Sequence, residues 1–137
     1  AREPAIRLAD AQATLDRWSV PGFTARDALT ASDRLHGILA SRWPAAILRR
    51  EAPVSARIGQ QLVQGRIDLL IETGSTSAIV DHKSFPGRAD LWETRALQHA
   101  PQIGLYAEAV EAASGRSCRE LFVHMPVVGA LIRVASA

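Results

Sequence analysis

The sequence predicts an α/β domain in which a mixed β-sheet is flanked by helices, in the order α-βββ-α-ββ. Three observations predict it. A period-two apolar run extends from about Leu62 to Glu72, the Gly74-Ser75 pair signals a hairpin before a second apolar run from Ser77 to Ser84, and a helical segment is bracketed by Pro101 and Gly115. At 137 residues and 47% hydrophobic content the chain is sized for one core, and no repeat, low-complexity tract or linker divides it. Residues 1–137 are therefore read as a single domain.

Residues 1–22 form an expected helical appendage, closed by the breaker Pro21-Gly22. Thr24 can cap the next helix with Asp27 three residues on, and Leu29, Leu35, Ile38 and Leu39 supply its apolar positions before Pro44. This helix carries His36. A strand is expected from Pro53 to Ile58, a turn at Gly59-Gln60, and then the long strand whose apolar side is marked by Val63, Ile67, Leu69 and Ile71. Pro86-Gly87 ends the returning strand. Pro101 suits the first turn of the last helix and Gly115 its C-terminal cap, and two strands at Leu121 to Met125 and Ala130 to Val134 complete the order.

Composition excludes several classes. No run of 18 apolar residues occurs, and the first ten residues lack a basic leader followed by an apolar stretch, so the expectation is a soluble, cytoplasmic protein without a membrane partner. One cysteine, Cys118, cannot form an internal disulfide or a multi-thiolate metal site. The net charge is +2, yet residues 1–66 carry 10 arginines against 6 acids, a surplus that suits a polyanionic partner as well as an ordinary solvated surface. Fifteen of the 16 cations are arginine, and the exception is Lys83.

If Gly74-Ser75 is the hairpin loop, residues whose numbers sum to 149 face one another, which sets Asp68 opposite Asp81 with Cβ atoms ~5 Å apart. Lys83, two residues beyond Asp81, leaves the same face. Facing carboxylates repel, and a shared proton, a cation or a divalent metal relieves the repulsion. The plainer alternative is a pair of strand-edge aspartates with Lys83 as their salt bridge. A lysine in a chain that otherwise uses arginine favours chemistry, because a compact ammonium suits activation of a water.

The ordered set Gly65-Arg66-Ile67-Asp68, Asp81-His82-Lys83 and Gln102-Ile103-Gly104-Leu105-Tyr106 resembles the PD-(D/E)XK nuclease superfamily, in its RecB/AddA-like branch. The resemblance runs from about His36 to Gly115. It implies a restriction-endonuclease-like core and a metal-dependent DNA nuclease, excised from a larger helicase-nuclease of DNA end processing and recombinational repair. The chain has no GxxxxGK[ST] loop of its own, so it is not the motor. By the same resemblance Asp68, Asp81 and the carbonyl of His82 would be metal ligands, with Lys83 orienting or deprotonating the attacking water. His36 stands where such nucleases carry a metal-binding histidine, its alternative being a surface histidine. Glu51 would either support the metal shell or pair with Arg49 or Arg50, and pairing is preferred. Gln102 and Tyr106 share a helix face that borders the site in the family.

Hard oxygen ligands favour Mg2+ or Mn2+. The expected partners are DNA, with single-stranded ends preferred, and the helicase portion of the same protein or of a partner protein. Arg66, Arg88 and Arg95 are candidate backbone contacts. Trp18, Trp43 and Trp92 are read as packing residues before base-stacking ones. The competing reading is a catalytically silent nuclease-like module that binds DNA or docks on a helicase. A glycosidase is disfavoured by a 5% aromatic content that leaves no sugar platform.

Overall fold

The computed structural model describes residues 24–83, 88–125 and 130–134, together with Gln12. The expected appendage, Trp18 and the Pro86-Gly87 breaker lie outside the described residues apart from Gln12. Helix α1 spans Ala25–Arg42, strands β1 to β3 span Ile47–Ile58, Gln61–Glu72 and Thr76–His82, and a 3-10 turn at Ala89–Leu91 leads into α2, Trp92–Ser114. Strands β4 (Ser117–Met125) and β5 (Ala130–Val134) follow. The five strands lie in chain order, antiparallel at every pairing except β3 with β4, which run parallel and are linked through α2.

Each helix covers one face of the sheet. Leu35 and Leu39 of α1 meet Leu69, Ile71, Ala78, Val80 and Phe122, while Ala96, Ile103, Ala107 and Val110 of α2 pack on Val63, Ile67, Leu70, Ile79 and Val123. Thr24 and Asp27 form the reciprocal cap of α1 that the sequence predicts. Gly115 ends α2 at φ 71°, a left-handed conformation that an L side chain adopts only with strain.

Three expectations are corrected. β1 begins at Ile47 rather than Pro53, because β1 is the edge of the sheet and the missing N–H of Pro53 interrupts no ladder there. α2 begins at Trp92, so Pro101 lies inside the helix and not in its first turn. Good helix formers and the fully buried Ala96 hold the extra turns on the sheet despite the lost hydrogen bond. Finally, Val63, Ile67, Leu69 and Ile71 do not share one side. Val63 and Ile67 face α2, as does Leu70, whereas Leu69 and Ile71 face α1. The alternation of β2 shifts at Asp68. Across from that shift Glu51 has φ 51°, and the pairing skips from Arg50↔Leu69 to Ala52↔Ile67.

Candidate active site

The hairpin sets the register of the site. Thr73 N–H donates to the Thr76 carbonyl at 2.9 Å across Gly74-Ser75, and the ladder runs from Glu72↔Ser77 to Leu69↔Val80. One step further, Asp68 and Asp81 face the same side, since Leu70 and Ile79 both point to α2. Regular pairing stops before them, and the backbone N–H of His82 donates instead to Asp68 Oδ2 at 2.8 Å. Lys83 is anchored by its own N–H to the His124 carbonyl of β4 at 2.8 Å.

These groups wall a cavity of about 380 Å³ lined by Arg66, Asp68, Asp81, His82, Lys83, Gln102 and Tyr106. Strands β2 and β3 contribute the charged side, and α2 contributes the amide and the phenol, with Gln102 Nε2 donating to Tyr106 Oη at 3.4 Å. Lys83 Nζ lies 3.2 Å from Asp81 Oδ2. The approach is not along a hydrogen-bonding direction, so that buried oxygen has no hydrogen-bond donor among the described residues. Burial, then the hydrogen bond and charge of Asp68, push the Asp81 carboxyl up to about 6, against the opposing pull of Lys83.

The ring of His82 leaves on the α1 face and meets His124, Nδ1 to Nδ1 at 2.9 Å, with the rings edge to face. Burial first, then His82, lowers His124 to about 4. Burial is also the main cause that lowers His82, aided by Arg50 and opposed by Asp68 and Glu51. Both rings are neutral at pH 7, and one Nδ1–H can donate to the other ring's Nδ1.

His36 and Glu51 do not line the cavity. His36 Nδ1–H donates to the Ser32 carbonyl at 2.8 Å, and its Nε2 accepts from Arg50 Nη2 at 2.7 Å, which engages both ring nitrogens. A metal at His36 would require Arg50 to withdraw. Glu51 does not pair with either neighbouring arginine, since Arg49 binds Glu72 at 3.0 Å and Arg50 binds His36. Among candidate backbone contacts, Arg66 lines the cavity, Arg88 pairs with Asp90 at 3.2 Å, and Arg95 is exposed on α2. Trp43 stacks edge to face on Phe122, and Trp92 packs on the core beneath α2. One residue escaped the motif search. His99 lies three positions before Gln102 on the same side of α2, and its pKa is lowered by burial and then by Lys83 and Arg95. A helical projection of residues 95 to 106 would have found it.

Among the described residues, no cluster of three or more His, Cys, Asp or Glu side chains is poised for a metal, so the acidic donors in the cavity are Asp68 and Asp81. The two neighbouring carboxylates nonetheless fit a hard divalent cation, one of them with a buried oxygen that lacks a hydrogen-bond donor, and the half-buried Lys83 ammonium stands beside them outside the donor set.

A family model described as the PD-(D/E)XK nuclease superfamily matches residues 3–134. The chain belongs to that superfamily. Its five-stranded mixed sheet with a helix on each face accords with the restriction-endonuclease-like core. Over 72 residues this nuclease-superfamily chain is 33% identical to an ATP-dependent helicase/nuclease subunit of Pelotomaculum thermopropionicum. The match covers 53% of this chain and 6% of that much longer protein. The crystal structure of SSO0001 overlaps 89% of this chain and 55% of its own, at a TM-score of 0.45 and 14% identity. Among the described residues no helix is long and apolar enough to cross a membrane.

Proposed function

We propose that this domain is a Mg2+- or Mn2+-dependent deoxyribonuclease that hydrolyses phosphodiester bonds in DNA strands, single-stranded ends above all. It would act beside a helicase in end processing and recombinational repair. The observation that carries the reading is the half-buried Asp81 carboxylate, with one buried oxygen lacking a hydrogen-bond donor, beside Asp68 and flanked by the chain's one lysine. Membership in a nuclease superfamily and a helicase/nuclease relative support it.

Asp68, Asp81 and the His82 carbonyl would hold the cation, and His36 could join them only by releasing Arg50. A bound cation supplies neutralisation of the phosphate charge and lowers the pKa of a water. Lys83 then orients the attacking water and stabilises the negative charge that builds on it. Arg66 binds a nonbridging phosphate oxygen at the cavity mouth, while Gln102 and Tyr106 bound the strand on the α2 side. Glu51 supports the site through the backbone of β1, opposite Asp68.

The test is cleavage of linear single-stranded DNA by this chain with Mg2+ or Mn2+, beside an EDTA control and Lys83→Ala. Metal-dependent cleavage that disappears in the variant is the expected result. Cleavage that survives Lys83→Ala would remove the assigned site. If the wild type binds metal at Asp68 and Asp81 without cleaving, an intact site awaits strand delivery by a helicase. Absence of both cleavage and metal binding would favour the silent docking module.

A further inference from the structure

We infer that Arg95 and His99 form a phosphate-binding subsite by which α2 holds the DNA strand next to the scissile bond. The inference rests on the nuclease reading and extends its site by two residues. Arg95, His99, Gln102 and Tyr106 are spaced by four, three and four, so at 3.6 residues per turn they make one stripe along α2. Gln102 and Tyr106 line the cavity, and the stripe continues beyond it for ~10 Å along the helix, from Gln102 to Arg95. Ala96 and Ile103, both essentially fully buried on the flank of the stripe, fix the rotation of the helix against the sheet. The direction in which the stripe points is therefore set by packing.

The chemistry of the stripe suits a polyanion. None of its four residues is acidic, and Glu93 and Glu108 project from other sides of the helix. Lys83 and Arg66 line the cavity with the two aspartates, and both Lys83 and Arg95 act electrostatically on the half-buried His99 ring. In the nuclease reading the aspartates and a bound cation would address the scissile phosphate, and a neighbouring phosphate of the strand would reach α2 beyond the cavity. Arg95 offers that neighbour a planar fork of donors. Burial, Lys83 and Arg95 keep His99 neutral at pH 7, so it offers an N–H without a charge.

That difference gives each residue its own signature. A labelled single-stranded oligonucleotide is bound to the wild type, Arg95→Ala, Arg95→Lys and His99→Ala in EDTA over a series of salt concentrations, and KM and kcat are measured in Mn2+. Arg95→Ala is expected to weaken binding and raise KM about tenfold, with kcat within about twofold. It should also flatten the plot of log affinity against log salt by about 0.7, the value for one phosphate contact on a single strand. Arg95→Lys should restore the slope. His99→Ala should raise KM by about threefold to tenfold with the slope unchanged. If Arg95→Ala matches a wild type that binds and cleaves, the subsite is overturned and the nuclease reading stands. A fall in kcat at constant KM would also overturn it. If the wild type binds neither oligonucleotide nor Mn2+, the nuclease reading falls and the subsite with it.

Discussion

The backbone N–H of His82 donates to Asp68 Oδ2 at 2.8 Å, tying a side chain of β2 to the strand that carries Asp81 and Lys83. The bond sits where the β2–β3 ladder ends, one step past Leu69↔Val80. There the strands exchange backbone pairing for a side-chain clamp. The clamp fixes the direction of one Asp68 oxygen while the cavity opens beside it. Asp68 therefore has a structural duty on β3, and the proposed function gives it a second, chemical one toward the cavity.

Two substitutions separate these duties. Asp68→Asn keeps an acceptor for His82 and removes the charge, so the fold should hold while divalent-metal affinity collapses. Asp68→Ala removes both, and should be less stable than Asp68→Asn by about 1–2 kcal/mol in urea denaturation. Equal stability of the two variants would show that the clamp contributes nothing. Retained metal affinity in Asp68→Asn would remove Asp68 from the ligand set.

Asp81 predicts a pH dependence whose sign follows from its raised pKa. Burial, then Asp68, moves its carboxyl from 3.8 to about 6, so the folded chain binds this proton more tightly than the unfolded one. Its contribution to metal-free stability is fully present below about pH 4 and is lost as pH rises through about 6. A cation held by Asp81, as proposed, would displace the same proton, so Mn2+ affinity should fall as pH drops below about 6. Denaturation curves between pH 4 and pH 7.5 should show the first effect in the wild type and lose it in Asp81→Asn.

The hairpin was legible in the sequence because its determinants are local. A Gly-Ser loop between runs of alternating residues fixes the pairing, and the observed Leu69↔Val80 follows the rule that sets Asp68 opposite Asp81. The capping box of α1 is equally local. What escaped depends on distant parts of the chain. His36 is engaged by Arg50 fourteen residues later, across the gap between α1 and β1, and no spacing rule announces that bond. The extra turns of α2 depend on Ala96 packing against the sheet, and Pro101 argued locally against them. The left-handed backbone of Glu51, on which the shift in β2 turns, is invisible in a residue type that rarely adopts it.

Glu51 yields a test of backbone against carboxylate. Its φ of 51° costs an L residue about 1 kcal/mol or more, and its side chain is exposed outside the cavity. Glu51→Gly relieves the strain, so its stability should match or exceed that of the wild type, with Mn2+ affinity within about twofold. Glu51→Val, β-branched at the same position, should be destabilised and should weaken the site by misplacing Asp68. A loss of metal affinity in a stable Glu51→Gly would identify the carboxylate as a ligand.

Gly65 makes the last prediction, because the absence of its side chain is what admits Tyr106. A Cβ built on Gly65 would collide with Tyr106 Oη and lie 2.7 Å from Cζ, so the ring rests on the bare backbone of β2. Tyr106 in turn accepts the hydrogen bond from Gln102, and both line the cavity. Gly65→Ala should therefore displace the ring, cost about 1–3 kcal/mol in stability and lower cleavage. In a Tyr106→Ala background the same substitution should cost far less, since the ring it would strike is gone. Equal cost in both backgrounds of this double-mutant cycle would show that Gly65 serves β2 alone and that the packing of Tyr106 does not depend on it.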